Sequence, residues 1–216
     1  MAIDGSEIST FFRLLRTGSG RHVFNPWTQR DELNDSDLNG PDARLDRLHS
    51  HLQLRPARIL LGEAAGYQGC HVSGIPFTSE RVIMAGNVPR VSCSGLRLSV
   101  RARPWSEPSG TTVWKTLHSL DIAHDTILWN SYPWHPHLPG EPHSNRTPTR
   151  SERLLGMPVL EALIKAFPNA ALFAVGRHAE HALREFGRDA IALRHPSMGG
   201  AVLFQEGLRK AIRRDC

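Results

Sequence analysis

Four short apolar runs limit how this chain can fold. They are "ARILLGEA" (Ala57–Ala64), "DTILWNSYP" (Asp125–Pro133), "AALFAVG" (Ala170–Gly176) and "AIALRHPS" (Ala190–Ser197). Short, bounded runs with little polar alternation read as strands buried on both faces. Helical stretches separate them: "TTVWKTLHSLDI" before the second, "TRSERLLGMPVLEALIKAF" and "HAEHALREFG" around the third, "GAVLFQEGLRKAIRRD" after the fourth. Thr149 and Glu152 have capping-box spacing at the start of the longest helix. The alternation predicts an α/β fold, a three-layer α/β/α arrangement around a central four-stranded, mainly parallel sheet. Such sheets bind ligands beyond the carboxyl ends of their strands. The chemically unusual residues gather there, after Leu61, after Trp129 and after Leu193.

Upstream, "STFFRLLRTG" and "PDARLDRLHSHLQLR" read as helices, and "WTQRDELNDSDLNGPD" as a polar surface loop. No repeat or low-complexity linker divides the chain. One domain over residues 1–216 is expected, with 1–56 as an N-terminal helical extension. The 216 residues are 40% apolar, ample for one core, and carry a formal charge of +5 with a pI near 9.6. That excess modestly favours a polyanionic partner, and equally fits a soluble protein that happens to be basic. Three cysteines, Cys70, Cys93 and Cys216, without CxxC spacing, argue against a disulfide framework or a four-cysteine metal site. A reducing, cytoplasmic setting is expected. The first residues carry early acids and no long apolar run, so no signal peptide is expected, and no stretch reaches a membrane span.

The stretch Leu60–Glu80 is rich in glycine and short of catalysts: Glu63 is its one early acid. Its spacing is not that of a dinucleotide fingerprint, and no helix pattern follows directly. Gly62, Gly66 and Gly69 permit close backbone approach. His135, His137 and His143 share one loop with Trp134, which has the outline of a zinc set. With no cysteine near, and Glu141 beside a flexible Pro–Gly, a polar loop near phosphates is the expected role, and no metal is assigned. "GLRLSVRARPW" (Gly95–Trp105) carries three arginines and is a candidate nucleic-acid-contacting hairpin or strand. Lys210, Arg213 and Arg214 read as a solvated helix face.

Three motifs in order resemble those of the uracil-DNA glycosylase superfamily. They are "GEAAGYQGCHVSGIPFT" (Gly62–Thr78), "WNSYPWHP" followed by "NRTPTRSE", and "RHPSMGG"; "AVGRHAEHAL" matches the segment between the last two. The resemblance runs from about Leu60 to the C-terminus and mixes branches. "GEA" before Gly66 is similar to family 4, but Ala65 replaces its proline, Gly69 and Cys70 stand near its acids, and its four cluster cysteines are absent. No iron–sulfur cluster, and no other cofactor, is therefore implied. The spacing from Gly62 to Phe77 is closer to family 5.

The resemblance implies excision of uracil, and of other deaminated bases as further candidates, from single- or double-stranded DNA by a monomer. Phe77 would stack the flipped base, with a core phenylalanine as the plain alternative. Asn130 would read uracil through its amide, or simply form a turn. His195 would hydrogen-bond the base as negative charge develops. Ala64 stands where the classical branch has aspartate. Glu63 is left either to position water or to bond loop backbone, and Tyr67 and Gln68 to wall the pocket. Ser197, Gly199 and Gly200 would contact phosphate, and Met198 would wedge into the DNA. The lost acid keeps a second reading open, a protein that holds damaged or abasic DNA without fast chemistry. A third is an unrelated hydrolase or flavodoxin-like binder, although no GxSxG elbow is present.

Overall fold

The computed structural model describes residues 5–92, 95 and 97–213. Cys93, Arg214 and Cys216 lie outside them. In chain order the elements are α1 (Gly5–Leu15), β1 (Val23–Phe24), α2 (Pro41–Leu52), β2 (Arg58–Ala64), α3 (Cys70–Ser73), α4 (Glu80–Met84), α5 (Pro108–Ser119), β3 (Thr126–Tyr132), β4 (His135–Pro136), α6 (Arg150–Ala166), β5 (Ala171–Val175), α7 (Arg177–Glu185), β6 (Ile191–Leu193) and α8 (Ala201–Ile212). Strands β3-β2-β5-β6 form one sheet, in that order and parallel throughout. β1 and β4 make a separate antiparallel pair.

Side-chain alternation along the strands divides the core into two layers. Ile59 and Leu61 of β2, with Ile127 and Trp129 of β3, pack against α1, α2, α6 and α7. Leu60, Leu128, Phe173 and Val175 face the other way, against α5 and α8. The two helical layers and the sheet between them are the expected three-layer arrangement. Expected and observed elements differ mainly at their ends. The fourth strand stops at Leu193 rather than Ser197. Beyond it the chain turns, with Gly200 N–H donating to Ser197 O at 3.0 Å, and Pro196 has no N–H for a ladder. A one-turn helix, α3, does follow the glycine-rich turn, contrary to expectation.

The segment expected to be a polar surface loop is a loop, with Glu32, Asp37 and Leu38 exposed, but part of it is buried. Trp27, Asn34, Asp35 and Asn39 are buried, and Trp27 stacks near Trp129 with centroids 5.8 Å apart. Arg44 of α2, fully buried, pairs with Asp35 and donates to Val72 O at 3.1 Å and Gln29 O at 3.2 Å. A buried guanidinium needs several acceptors at once, and only a loop folded around it can supply them. Asp35, with the Gln29 carbonyl, is thus a packing partner of Arg44, while Glu32 and Asp37 face solvent.

The expected arginine hairpin is not formed among the described residues. Ser99 makes one isolated bridge to Asp35. The segment is instead gathered by Glu80, whose carboxylate is fully buried. Glu80 accepts from Leu98 N–H (2.9 Å), Ser99 N–H (3.0 Å), Ser99 Oγ (2.7 Å) and Trp105 N–H (2.9 Å), and pairs with Arg97 at 2.8 Å. Burial pushes its pKa up, but the bonds from Ser99, Arg97 and Trp105 outweigh it and hold the carboxyl below its usual range. Replacing Glu80 with Ala orphans three buried N–H groups and should cost about 3–5 kcal/mol, measured by urea denaturation. An unchanged midpoint would show that the segment does not depend on it.

Candidate active site

Parallel pairing sets Gly62 of β2 beside Asn130 of β3. Paired residues point to the same face, and Gly62 has no side chain to fill it. A Cβ at Gly62 would come within 2.6 Å of both Asn130 Oδ1 and the Phe77 ring. Asn130 and Phe77 therefore meet over a bare strand. Phe77 is held at φ +55°, a left-handed conformation that costs a non-glycine residue on the order of 1–3 kcal/mol. That conformation sets its ring over Gly62, at the edge of the apolar layer that also holds Ile75 and Trp105.

His195 completes the group, its ring centroid 6.2 Å from that of Phe77. Its Nδ1 accepts from Ser197 N–H at 3.1 Å and lies 2.7 Å from Ser197 Oγ. The lone pair of Nδ1 is thereby used, and the neutral ring carries its hydrogen on Nε2. Burial, with a contribution from Arg194, lowers its pKa, which favours this neutral donor form.

A cavity of about 390 Å³ lies among these residues, lined by Glu63, Ala64, Phe77, Asn130, His195 and Ser197. Most of the residues singled out in the sequence therefore converge. Tyr67 and Gln68 do not line it; the Tyr67 ring packs edge-on against Trp105 at 5.5 Å. Met198, Gly199 and Gly200 stand beside it in the turn after β6, and Met198 is 92% exposed at φ +52°. Glu63 sits between this cavity and a neighbouring one, its Oε1 3.6 Å from His178 Nδ1. Its side chain is partly exposed, and Oε1 is buried without a hydrogen-bond partner among the described residues.

The cavity also contains residues that the sequence alone did not point out. Glu107, just before α5, lines it, and Oε2 has no hydrogen-bond partner among the described residues. Ser109 Oγ reaches only Oε1, at 3.3 Å. Burial pushes the Glu107 pKa up to about 7. Gly69 lies directly against its carboxylate, where a Cβ would collide. Asn145, Arg146 and Thr147 form the opposite wall. Asn145 Oδ1 accepts from Tyr67 N–H at 3.0 Å, tying this wall to the glycine turn. Arg146 grips both oxygens of Glu152 at 2.7 Å, and Glu152 closes the capping box on Thr149. The "NRTPT" string is thus a wall anchored to a helix start, and the Arg146 bond holds the Glu152 pKa at about 2. The signal for Asn145–Thr147 was in the quoted motif. For Glu107 there was none, since nearly thirty residues separate it from Phe77 in sequence.

The histidine loop does not act as one set. His135 is buried and bonds Ser144 O at 2.7 Å, while His137 lies edge-on to His22.

A family model for the uracil DNA glycosylase superfamily matches residues 49–211. The chain belongs to that superfamily. No curated protein sequence matches it. Among solved structures it is similar to SMUG2 of Pedobacter heparinus, with a TM-score of 0.65 and 12% identity, covering 96% of this chain and 97% of that one. At that identity the likeness speaks for the fold. Membership of the uracil DNA glycosylase superfamily assigns the protein to the DNA-repair glycosylases in general terms.

The raised Glu107 pKa has a consequence for stability. Between about pH 4.5 and 7 the folded state keeps a proton that the unfolded chain releases. Stability from this group is therefore greatest below pH 4.5 and is lost as pH rises through about 7, by on the order of 3 kcal/mol. Denaturation of the wild type and Glu107→Gln at pH 5 and pH 8 should show the variant gaining relative stability at the higher pH. Parallel curves would place Glu107 in a wetter setting.

Proposed function

We propose that the protein is a monofunctional DNA glycosylase that hydrolyses the N-glycosidic bond of uracil in DNA, acting as a monomer. The convergence of Phe77, Asn130 and His195 on one cavity carries this reading. The base leaves the stack and lies on the Phe77 ring. The Asn130 amide offers both a donor and an acceptor, matching the adjacent N–H and carbonyl of uracil. As the C1′–N1 bond breaks, charge gathers on the base, and His195 Nε2–H donates to it without needing a second proton. A water bonds to C1′ and releases its proton. Glu107 fits that proton acceptor better than Glu63. Each turns one buried carboxylate oxygen without a hydrogen-bond partner toward this region, but Glu63 also borders the neighbouring cavity, 3.6 Å from His178, whereas Glu107 lies wholly on this one, and burial raises its pKa. A carboxyl with a pKa near 7 is suited to a general base at neutral pH.

The alternative, a protein that holds abasic DNA without fast chemistry, rests on Ala64, which leaves the usual position without an acid. Glu107 weakens it by bringing an acid to the same cavity from another element.

Oligonucleotides with a single uracil, hypoxanthine or xanthine, in single and double strands, test the reading. Micromolar protein should release uracil; no release would end it, and tight retention of abasic DNA without release would favour the alternative. His195→Ala should slow excision about 10²–10³-fold. Glu107→Gln should slow it about 10²–10⁴-fold and flatten the rise in rate through about pH 7. Full activity in Glu107→Gln with loss in Glu63→Gln would move the base to Glu63.

A further inference from the structure

Away from the cavity, Asp31, His71 and His143 each bring one ligand atom to a common point, all within 4.8 Å of one another. They come from three separate segments: the N-terminal loop, α3 and the loop before α6. Asp31 Oδ2 lies 3.1 Å from His71 Nε2 and 3.2 Å from His143 Nε2. Asn34 Nδ2 is 2.9 Å from the same His143 nitrogen and 3.1 Å from Asp31 Oδ2.

Counting hydrogens shows what these contacts lack. Ser144 O can only accept, so His135 carries its hydrogen on Nε2, 2.7 Å away, and presents a bare Nδ1. His71 Nδ1 stands 2.9 Å from that atom and must donate to it. A neutral His71 has no second hydrogen and turns a bare Nε2 toward Asp31. Asn34 donates one amide hydrogen to His143 Nε2 and the other to Asp31, so His143 Nε2 is bare as well. Three lone pairs then face one another. A proton on His71 mends one contact and leaves His143 opposed to Asp31. Moving the hydrogen of His143 to Nε2 sets it against the Asn34 amide. A single divalent cation takes all three lone pairs at once, with the Asn34 amide keeping its contacts to Asp31 and giving up the one to His143.

The spacing agrees. Ligand atoms about 2.0–2.2 Å from one ion stand about 3.0–3.5 Å from one another. The bond from His71 Nδ1–H to His135 is the outer contact that fixes the tautomer of a metal-bound histidine. Stacking on Phe24, with centroids 3.9 Å apart, fixes the His71 ring plane. His143 is 30% exposed, which leaves a way in.

We propose that Asp31, His71 and His143 form a binding site for a divalent transition-metal ion, zinc in the first place, with a water as fourth ligand. Two imidazoles and one carboxylate are a borderline donor set that suits zinc over magnesium or calcium. Of the three histidines whose sequence spacing suggested zinc, only His143 takes part. The ion clips the N-terminal loop and α3 to the loop that continues into Asn145 and Arg146, the cavity wall. It has no place in the excision chemistry.

The test uses untagged full-length protein, stripped with a chelator, dialysed and titrated with Zn²⁺ or Co²⁺ against a chromophoric competitor. One equivalent should bind, Co²⁺ should develop visible absorption bands, and Zn²⁺, but not Mg²⁺, should raise the Tm by several degrees. His143→Ala should lose the equivalent and the Tm shift, Asp31→Asn should weaken binding at least tenfold, and His137→Ala should change neither. Because His143 is partly exposed, its variant is expected to stay folded, which far-UV circular dichroism checks. Absence of stoichiometric zinc binding by the wild type, or undiminished binding by a folded His143→Ala, would overturn the proposal. Base excision is not a readout here, so this result and that of the glycosylase assay stand apart.

Discussion

The missing side chain at Gly62 is the constraint on which the cavity depends. Parallel pairing fixes Gly62 next to Asn130, and any Cβ there would meet both Asn130 and Phe77. Phe77 is held from the other side as well. Gly110 in the first turn of α5 lies against the Phe77 carbonyl, so the helix approaches the strained residue as closely as a backbone can. A left-handed phenylalanine persists only where its surroundings over-determine it. Here the bare strand beneath and the helix start beside it do so.

The same helix start brings the acid. Glu107 immediately precedes α5, so the contact that holds Phe77 also fixes where the carboxylate enters the cavity. Upstream, Trp105 N–H is bound to Glu80, which secures the chain two residues before Glu107. One fully buried carboxylate, saturated with donors, thus orients the approach of another that is buried and nearly unpartnered. Their pKa values move in opposite directions for that reason: donors stabilise the charge on Glu80, and burial outweighs the one Ser109 bond at Glu107.

The layered fold was legible because each strand is a continuous apolar run, and its alternation assigns residues to two helical layers. Phe77, Asn130 and His195 were legible because each sits in a contiguous string at a strand end. The place of Glu107 on the cavity wall was not, because it comes from a contact across the fold with Gly69, and "SEP" by itself reads as a loop. The buried part of the polar stretch around Asp35 was missed for a related reason. Its polarity is matched to Arg44, a partner that sequence proximity does not reveal. The histidine loop misled by spacing: His135 and His137 point into different surroundings, and His143 finds its neighbours on two other segments.

Met198 is almost wholly exposed, and Val202 and Leu203 in the first turn of α8 are also open, at 61% and 57%. Together they put an apolar tip on the rim of a basic molecule. Attraction between lysine or arginine and phosphate fades as salt rises, because it depends on counterion release. Burial of methionine, valine and leucine does not fade in this way, and it leaves a negative heat-capacity change. Any nucleic acid that covers this rim is therefore held by two forces of different character. One is long-ranged and weakened by ions; the other acts only at contact and persists at high ionic strength. On such a surface the first would govern how quickly a strand is found, the second how long it stays.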